Sequence, residues 1–292
     1  MNVADVSEWI GRHEDAEDIA SAAPLMGLAA LLDHATPLWG TSVVPPLGHW
    51  LYFLPRAMQG DLSRDGHPRR GGFLPPIALP RRMWAGGALT FSAPIRVGEP
   101  IRRRSTIAEL AEKTGRSGRL AFVKVVHEIF APDGIAVREE QDIVYRDLPG
   151  SEEREKGQRT RSAEPEVPDR AQWQRSVQAD PVLLFRFSAL TFNGHRIHYD
   201  RDYCRNDEGY PGLVVHGPLT AVLLLDLFLR HNPGASLQAF RFRAHRPLFD
   251  TAPFTLCGEN RERGAFLWAV DEAGSPAMTA ELEVSPASDL VE

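Results

Sequence analysis

The chain has 292 residues, of which 43% are hydrophobic, 9% aromatic and 25% charged. That composition excludes a mainly disordered, collagen-like or coiled-coil protein, and at roughly 150 residues per domain the length predicts two packed units or one large one. Thirty-three basic residues against 39 acidic ones give a net charge of −6, so no overall basic field draws the chain to nucleic acid or anionic lipid.

Two cysteines, Cys204 and Cys257, are too few and too far apart for a disulfide framework or a thiolate zinc site. The acidic start MNVADVSEWIGRHEDAED lacks the bases and apolar run of a signal or transit peptide. The longest apolar stretch, Leu219 to Leu229, is too short to span a bilayer. The expected setting is a reducing cytoplasm, with neither membrane nor nucleic acid as partner.

In chain order, the first predicted element is a helix, AAPLMGLAALLDH from Ala22 to His34, followed by the Pro-rich, aromatic segment VVPPLGHWLYFLPR. Trp50, Tyr52 and Phe53 in that segment read as core side chains, with the lining of an acyl tunnel as the alternative. Strands are predicted at Ala88 to Phe91, Ser105 to Lys113, Leu120 to Phe130 and Ala136 to Tyr145. The segment from Leu148 to Arg170 has almost no large apolar side chain and cannot offset its ordering entropy by burial. It is read as a mobile linker over 148–171, dividing an N-terminal domain, 1–147, from a C-terminal domain, 172–292.

Beyond the linker, a short apolar run at Val182 to Phe187 leads into TFNGHRIHYDRDY and then GYPGLVVHGPLTAVLLLDLFLRHNPG. The latter reads as a helix with Gly217 near its N-cap, Pro218 at its first helical position and Asn232-Pro233-Gly234 as the stop. Its surface is apolar nearly all round, so other structure must wrap it. Strand-like runs follow at Leu237 to Phe242, Phe254 to Cys257, Ala265 to Val270 and Ala277 to Val284, separated by turn residues. A buried helix followed by consecutive strands predicts an α+β layout, an antiparallel sheet around the helix. The first half repeats the same order loosely, which suggests a diverged duplication.

Several chemistries lack their motifs. There is no G-x-G-x-x-G, no lysine following a glycine, no complete H-E-x-x-H and no G-x-S-x-G, which leaves dinucleotide, P-loop, zincin and α/β-hydrolase signatures unsupported. The dense polar cluster is Asn193, His195, Arg196, His198, Tyr199 and Asp200. Two histidines three apart with a nearby Asp could bind a metal. The same residues could simply end a strand and cap the next turn. Acid/base work is the third reading, because histidine titrates nearest operating pH. The downstream V-V-H-G-P-L favours it: a Gly217 N–H at a helix start is a donor for a developing oxyanion, and Pro218 supplies no competing N–H. His216-Gly217-Pro218 as a plain helix start is the simpler alternative.

The pair LTFNGHRIHYDRDY and GYPGLVVHGPL resembles the hydroxyacyl-thioester dehydratase type 2 branch of the MaoC-like hydratases, and more narrowly the bacterial mesaconyl-C4-CoA (3-methylfumaryl-CoA) hydratases. EWIGR, LAALLD and PPLGHWLYFLP in the first half are similar to the narrower group. The resemblance implies a double hot-dog fold, each half a curled antiparallel sheet around a long helix, with the active site in the C-terminal half.

It further implies hydration of a short dicarboxylic enoyl-CoA to citramalyl-CoA, with no metal and no cofactor beyond the CoA of the acyl-CoA substrate. His198 matches the family's catalytic histidine, while Asn193 stands at the position of its aspartate. An amide cannot take a proton at neutral pH, so His198 would carry the acid/base work and Asn193 would orient water or substrate. Gly217 would hold the thioester oxygen, with His216 and His195 as substrate-binding neighbours. Arg243 is expected among the substrate-binding residues, and Arg196, Arg201, Arg241, Arg243 and Arg246 are all candidates for a substrate carboxylate, with the CoA phosphates competing for the same cations. Cys204 lacks an activating neighbour and is not expected to be a nucleophile. Alternatives are an itaconyl-CoA or carrier-protein-linked substrate, a hot-dog thioesterase, and a non-catalytic acyl-CoA-binding module. A homodimer or a pseudo-dimeric monomer would fit the fold.

Overall fold

In the computed structural model, residues 7–115, 118–147 and 165–285 are described, so the expected linker at 148–171 falls mostly outside the described residues. Ten strands form one continuous antiparallel sheet: β1 (His13–Ile19), β2 (Arg81–Phe91), β3 (Pro100–Gly115), β4 (Gly118–Ala131), β5 (Gly134–Arg146), β6 (Trp173–Val177), β7 (Leu237–Ala244), β8 (Phe254–Arg261), β9 (Gly264–Val270) and β10 (Pro276–Val284). Their order across the sheet is β1-β3-β4-β5-β2-β7-β10-β9-β8-β6. Read inward from either edge, strands one, three, four, five and two of each half appear in the same sequence. The two halves thus share one strand order, as the loose repeat of element order in the sequence suggests.

The strands bury one alternating face. Ala121, Val123, Val125 and Ile129 of β4 are buried and lie two residues apart or a multiple of it, as the pleat requires. The halves join where β2 pairs with β7, Gly86 opposite Arg243 and Leu89 opposite Phe240. Glycine is needed at this join: a Cβ on Gly86 would lie 2.7 Å from the Phe242 carbonyl oxygen, and one on Gly87 2.9 Å from the Phe242 ring.

Four α-helices are found among the described residues: α1 (Ala22–Leu31), α2 (Pro181–Thr191), α3 (Arg201–Asn206) and α4 (Gly217–His231). Residues 219–228 of α4 are all buried, and the helix packs against β6, β8, β9 and β10. Each large side chain removed from water there contributes about 1.5–3 kcal/mol before entropy is counted. The single acid in that run, Asp226, is met by His34 at 2.5 Å, Arg175 at 2.7 Å and Arg230 at 2.9 Å. A buried carboxylate needs such company.

The first half departs from expectation. Its helix has only 10 residues, ending before His34 as Asp33 turns left-handed (φ 59°), and it packs on α2 rather than being wrapped by its own sheet. The run at Val182 to Phe187, a strand end in one reading of the sequence, is helical: Asp180 caps it by accepting the Leu183 N–H at 2.8 Å, and Pro181 opens it. Two curled sheets joined edge to edge, the second around its central helix, constitute a double hot-dog. No helix among the described residues is long and apolar enough to cross a membrane.

Gly86→Val should part β2 from β7 at the Phe242 carbonyl and cost about 1–3 kcal/mol of stability, the usual penalty of overpacking. Urea denaturation followed by circular dichroism reads this; an unchanged midpoint would contradict the close approach.

Candidate active site

Two segments of the second half are zipped together beside the join. At the end of α2, Phe192 adopts φ 48°, which turns the chain back so that the Asn193 N–H donates to the Ser188 carbonyl at 2.9 Å. The Asn193 side-chain oxygen accepts the His195 N–H at 3.0 Å, and a 3-10 turn, Arg196–His198, follows. The Val214 N–H donates to the Ile197 carbonyl at 2.9 Å, and the Val214 carbonyl accepts from His198 Nδ1 at 2.7 Å. Two residues beyond Val214, His216 caps α4 and Gly217 is its first residue.

The contact with Val214 fixes the chemistry of His198. A carbonyl only accepts, so the proton is on Nδ1 and the lone pair is on Nε2. Burial drives the His198 pKa down to about 4, against the pull of the Val214 carbonyl and with help from His67. The ring is therefore neutral at pH 7, the form a base requires. His216 stacks on it at 3.6 Å with planes 16° apart and is anchored through Nε2 to the Ser188 hydroxyl at 2.8 Å. His216 is buried and is not part of the cavity wall; it backs His198 rather than facing a ligand. Burial, reinforced by His198 and His195, holds its pKa well below the ordinary value.

The first half supplies the opposite wall. A loop carrying Asp65 and His67 is pressed onto Gly194: a Cβ at Gly66 (φ 89°) would lie 1.9 Å from the Gly194 carbonyl oxygen, a position only glycine can fill. The Arg196 N–H donates to the Asp65 carbonyl at 2.9 Å. His67 lies 4.0 Å from His195, ring centre to ring centre, and His195 lies 5.5 Å from His198. The His195 pKa is pushed down by burial first, then by His67 and His198.

Between these walls is a cavity of about 430 Å³, lined by Asn193, His195, His198 and Gly217 from the second half and by His67, Arg82, Trp84 and Gln141 from the first. Arg82, Arg146 and Arg246 line it, and among the described residues no Asp or Glu does. As the first helical residue, Gly217 has an N–H without an intrahelical acceptor. The space on its cavity side is open, with the Trp84 carbonyl oxygen 4.0 Å from where a Cβ would stand.

Other expected residues are elsewhere. Arg243 is exposed and outside the cavity wall, because strand alternation gives the inward face of β7 to Phe240 and Phe242; this corrects its expected place among the substrate-binding residues. Arg241 lines a separate hollow of about 730 Å³ that contains neither His198 nor Gly217. Arg196 is paired with Asp200 at 2.7 Å and Arg201 with Asp250 at 2.5 Å. Tyr52 and Phe53 are core, and the Trp50 indole N–H donates to buried Glu139 at 3.0 Å. Burial raises the Cys204 thiol to about 11, which suits no nucleophile.

The metal set weighed from sequence does not converge, since Asp200 caps α3 through the Tyr203 N–H and His198 Nδ1 is held by Val214. Asp65, His67 and His195 do bring potential ligand atoms within 4.8 Å of one another. Asp65 accepts from the Ser63 hydroxyl at 2.8 Å, the His67 backbone at 3.0 Å and the His67 ring at 3.1 Å, a local network that holds the trio together.

A double hot-dog with an imidazole and a helix-start amide in one cavity defines a class built for acyl-thioester chemistry. Residues 47–250 match the hydroxyacyl-thioester dehydratase type 2 family. The chain is 48% identical over 285 residues, 97% of its length and 99% of the relative's, to the mesaconyl-C(4)-CoA hydratase of Chloroflexus aurantiacus. Its fold is similar to that of HtdX of Mycobacterium tuberculosis, with a TM-score of 0.67, 19% identity, and 94% of this chain and 100% of the other covered. A second Mycobacterium tuberculosis protein, described as having a double hotdog fold, matches with a TM-score of 0.56 at 12% identity over 94% of this chain and 96% of the other. The chain belongs to the hydroxyacyl-thioester dehydratase type 2 family, and its reaction is of the hydration–dehydration class.

Between pH 6.5 and about 4 the unfolded chain binds protons at His195, His198 and His216 that the folded chain refuses. Their contribution to stability is therefore complete above pH 6.5 and is lost as pH falls, by up to about 1.4 kcal/mol per pH unit for each ring. Urea titrations at pH 7 and pH 5 measure this, and equal stability at the two would contradict the neutral cluster.

Proposed function

We propose that the protein adds water across the double bond of a short dicarboxylic enoyl-CoA thioester, mesaconyl-C4-CoA to citramalyl-CoA, and runs the same path in reverse as a dehydratase. The observation that carries the proposal is the neutral His198 with its lone pair on Nε2, on one cavity wall with the Gly217 N–H. Three arginines in that wall, with no Asp or Glu among the described residues lining it, support an anionic acyl group. The 48% identity to a mesaconyl-C(4)-CoA hydratase supports the particular substrate.

In this reading the thioester oxygen accepts a hydrogen bond from Gly217 N–H. His198 Nε2 takes a proton from water as the water oxygen bonds to the β-carbon, and the displaced electron pair becomes a thioester enolate. The amide at Gly217 holds that enolate. The imidazolium, its Nδ1–H still on the Val214 carbonyl, returns the proton to the α-carbon, giving the 3-hydroxyacyl thioester. Asn193, its oxygen engaged by the His195 N–H, offers its amide N–H groups to water or substrate. No other reactant is consumed. The division into an N-terminal domain at 1–147 and a catalytic domain at 172–292 joined by a linker is part of the proposal, with the qualification that the first domain completes the cavity.

His198→Ala should lower hydration by about 10²- to 10⁴-fold with the fold retained, measured as loss of enoyl-CoA absorbance; undiminished turnover would remove the proposed base. Gly217→Pro deletes one N–H at a position where His216 already has the extended ψ of 132° that a following proline accepts. It should lower kcat by about 10²- to 10³-fold. Retained kcat would place the oxyanion donor elsewhere. Release of free thiol in place of hydration would indicate a thioesterase.

A further inference from the structure

We propose that Arg82 is the specificity-determining residue that binds the free carboxylate of the acyl group, an assignment that rests on the hydratase reading above. The chemistry demands a cation in one particular place. In this substrate class the carboxylate is borne by the carbon that water attacks, three bonds along the acyl chain from the thioester carbonyl. The cation must therefore sit beside the catalytic imidazole, within one short acyl length of the oxyanion donor, and cannot serve from the mouth of the cavity.

Strand β2 meets that demand. It runs past the start of α4, with the Trp84 carbonyl oxygen 4.0 Å from the open side of Gly217. Arg82 lies two residues before Trp84, on the same face of the strand and about 7 Å along it, and both line the cavity. The direction is toward the histidines, since the charge of Arg82 bears on both His67 and His195, which lead to His198.

The neighbours of Arg82 leave its charge for a ligand. Arg81, on the opposite face, is buried and bound to Glu208 at 3.1 Å, whereas no carboxylate of the described residues pairs with Arg82. The group beside it is Tyr145, a buried phenol whose pKa burial raises and which is therefore neutral. Among the described residues no acid lines the cavity. Of the other arginines there, Arg246 is 3.4 Å from Asp271. A guanidinium also matches a carboxylate with two parallel hydrogen bonds, so Lys would be a poor substitute.

The test compares kcat/KM for mesaconyl-C4-CoA and for crotonyl-CoA, which lacks the carboxylate, in the full chain and in Arg82→Gln, Arg82→Lys and Arg246→Gln. The ratio of the two values should fall about 10- to 100-fold in Arg82→Gln, the worth of one charge-assisted contact, and by a smaller factor in Arg82→Lys. Arg246→Gln should lower both values by a common factor. A wild-type ratio in whichever Arg82 variant is folded, or a selective loss in Arg246→Gln, overturns the assignment. Absence of hydration of either thioester by the unaltered chain would instead sink the hydratase reading.

Discussion

The 2.7 Å hydrogen bond from His198 Nδ1 to the Val214 carbonyl is the constraint on which the site depends. It selects one tautomer, orients the ring and ties the turn that carries His198 to the segment that opens α4. Without it the ring could rotate or place its proton on Nε2, and the group facing the cavity would be a donor where a base is needed. Burial adds the second condition. By holding the ring neutral it keeps Nε2 unprotonated across physiological pH, and the carbonyl behind Nδ1 favours the imidazolium only once a proton has arrived.

Everything around this bond serves to hold it. The stacked His216, anchored on Ser188, prevents the His198 ring from tilting away, and His216 is also the residue that starts the central helix. The apolar mass of α4 thus positions both the ring and the amide of Gly217. The other wall arrives from a sequence more than a hundred residues earlier, through the β2–β7 join and the Gly66–Gly194 contact. The cavity is consequently a property of the paired halves: the C-terminal half supplies His198 and Gly217, and the N-terminal half supplies Arg82, Arg146 and enclosure.

The central helix, its Gly-Pro start and its Asn-Pro-Gly stop were legible in the sequence because they are local signals with fixed geometry. Asn193, His198 and Gly217 were singled out as a group through the family resemblance of their two segments, and they line one cavity. Arg82 and the Asp65–His67 pair were not legible. R-D-G-H reads as an ordinary turn, and Arg82 is one of two adjacent arginines whose fates are decided by strand alternation and by the pairing of β2 with β5 and β7. Arg243 was misplaced by the converse limit: period two tells which residues share a face but not which face looks into the cavity. The helical nature of Pro181–Thr191 was hidden because its apolar run is too short to separate a period of two from one of 3.6, although Asp180-Pro181 was a readable cap.

The central claim is the protonation state of one ring, and it can be observed directly. Long-range ¹H–¹⁵N correlation spectra of the protein labelled with ¹⁵N-histidine, assigned through a His198 variant, should show His198 at pH 7 as the neutral Nδ1–H tautomer with a bare Nε2. A His198 ring carrying its proton on Nε2, or protonated at both nitrogens, would contradict the account.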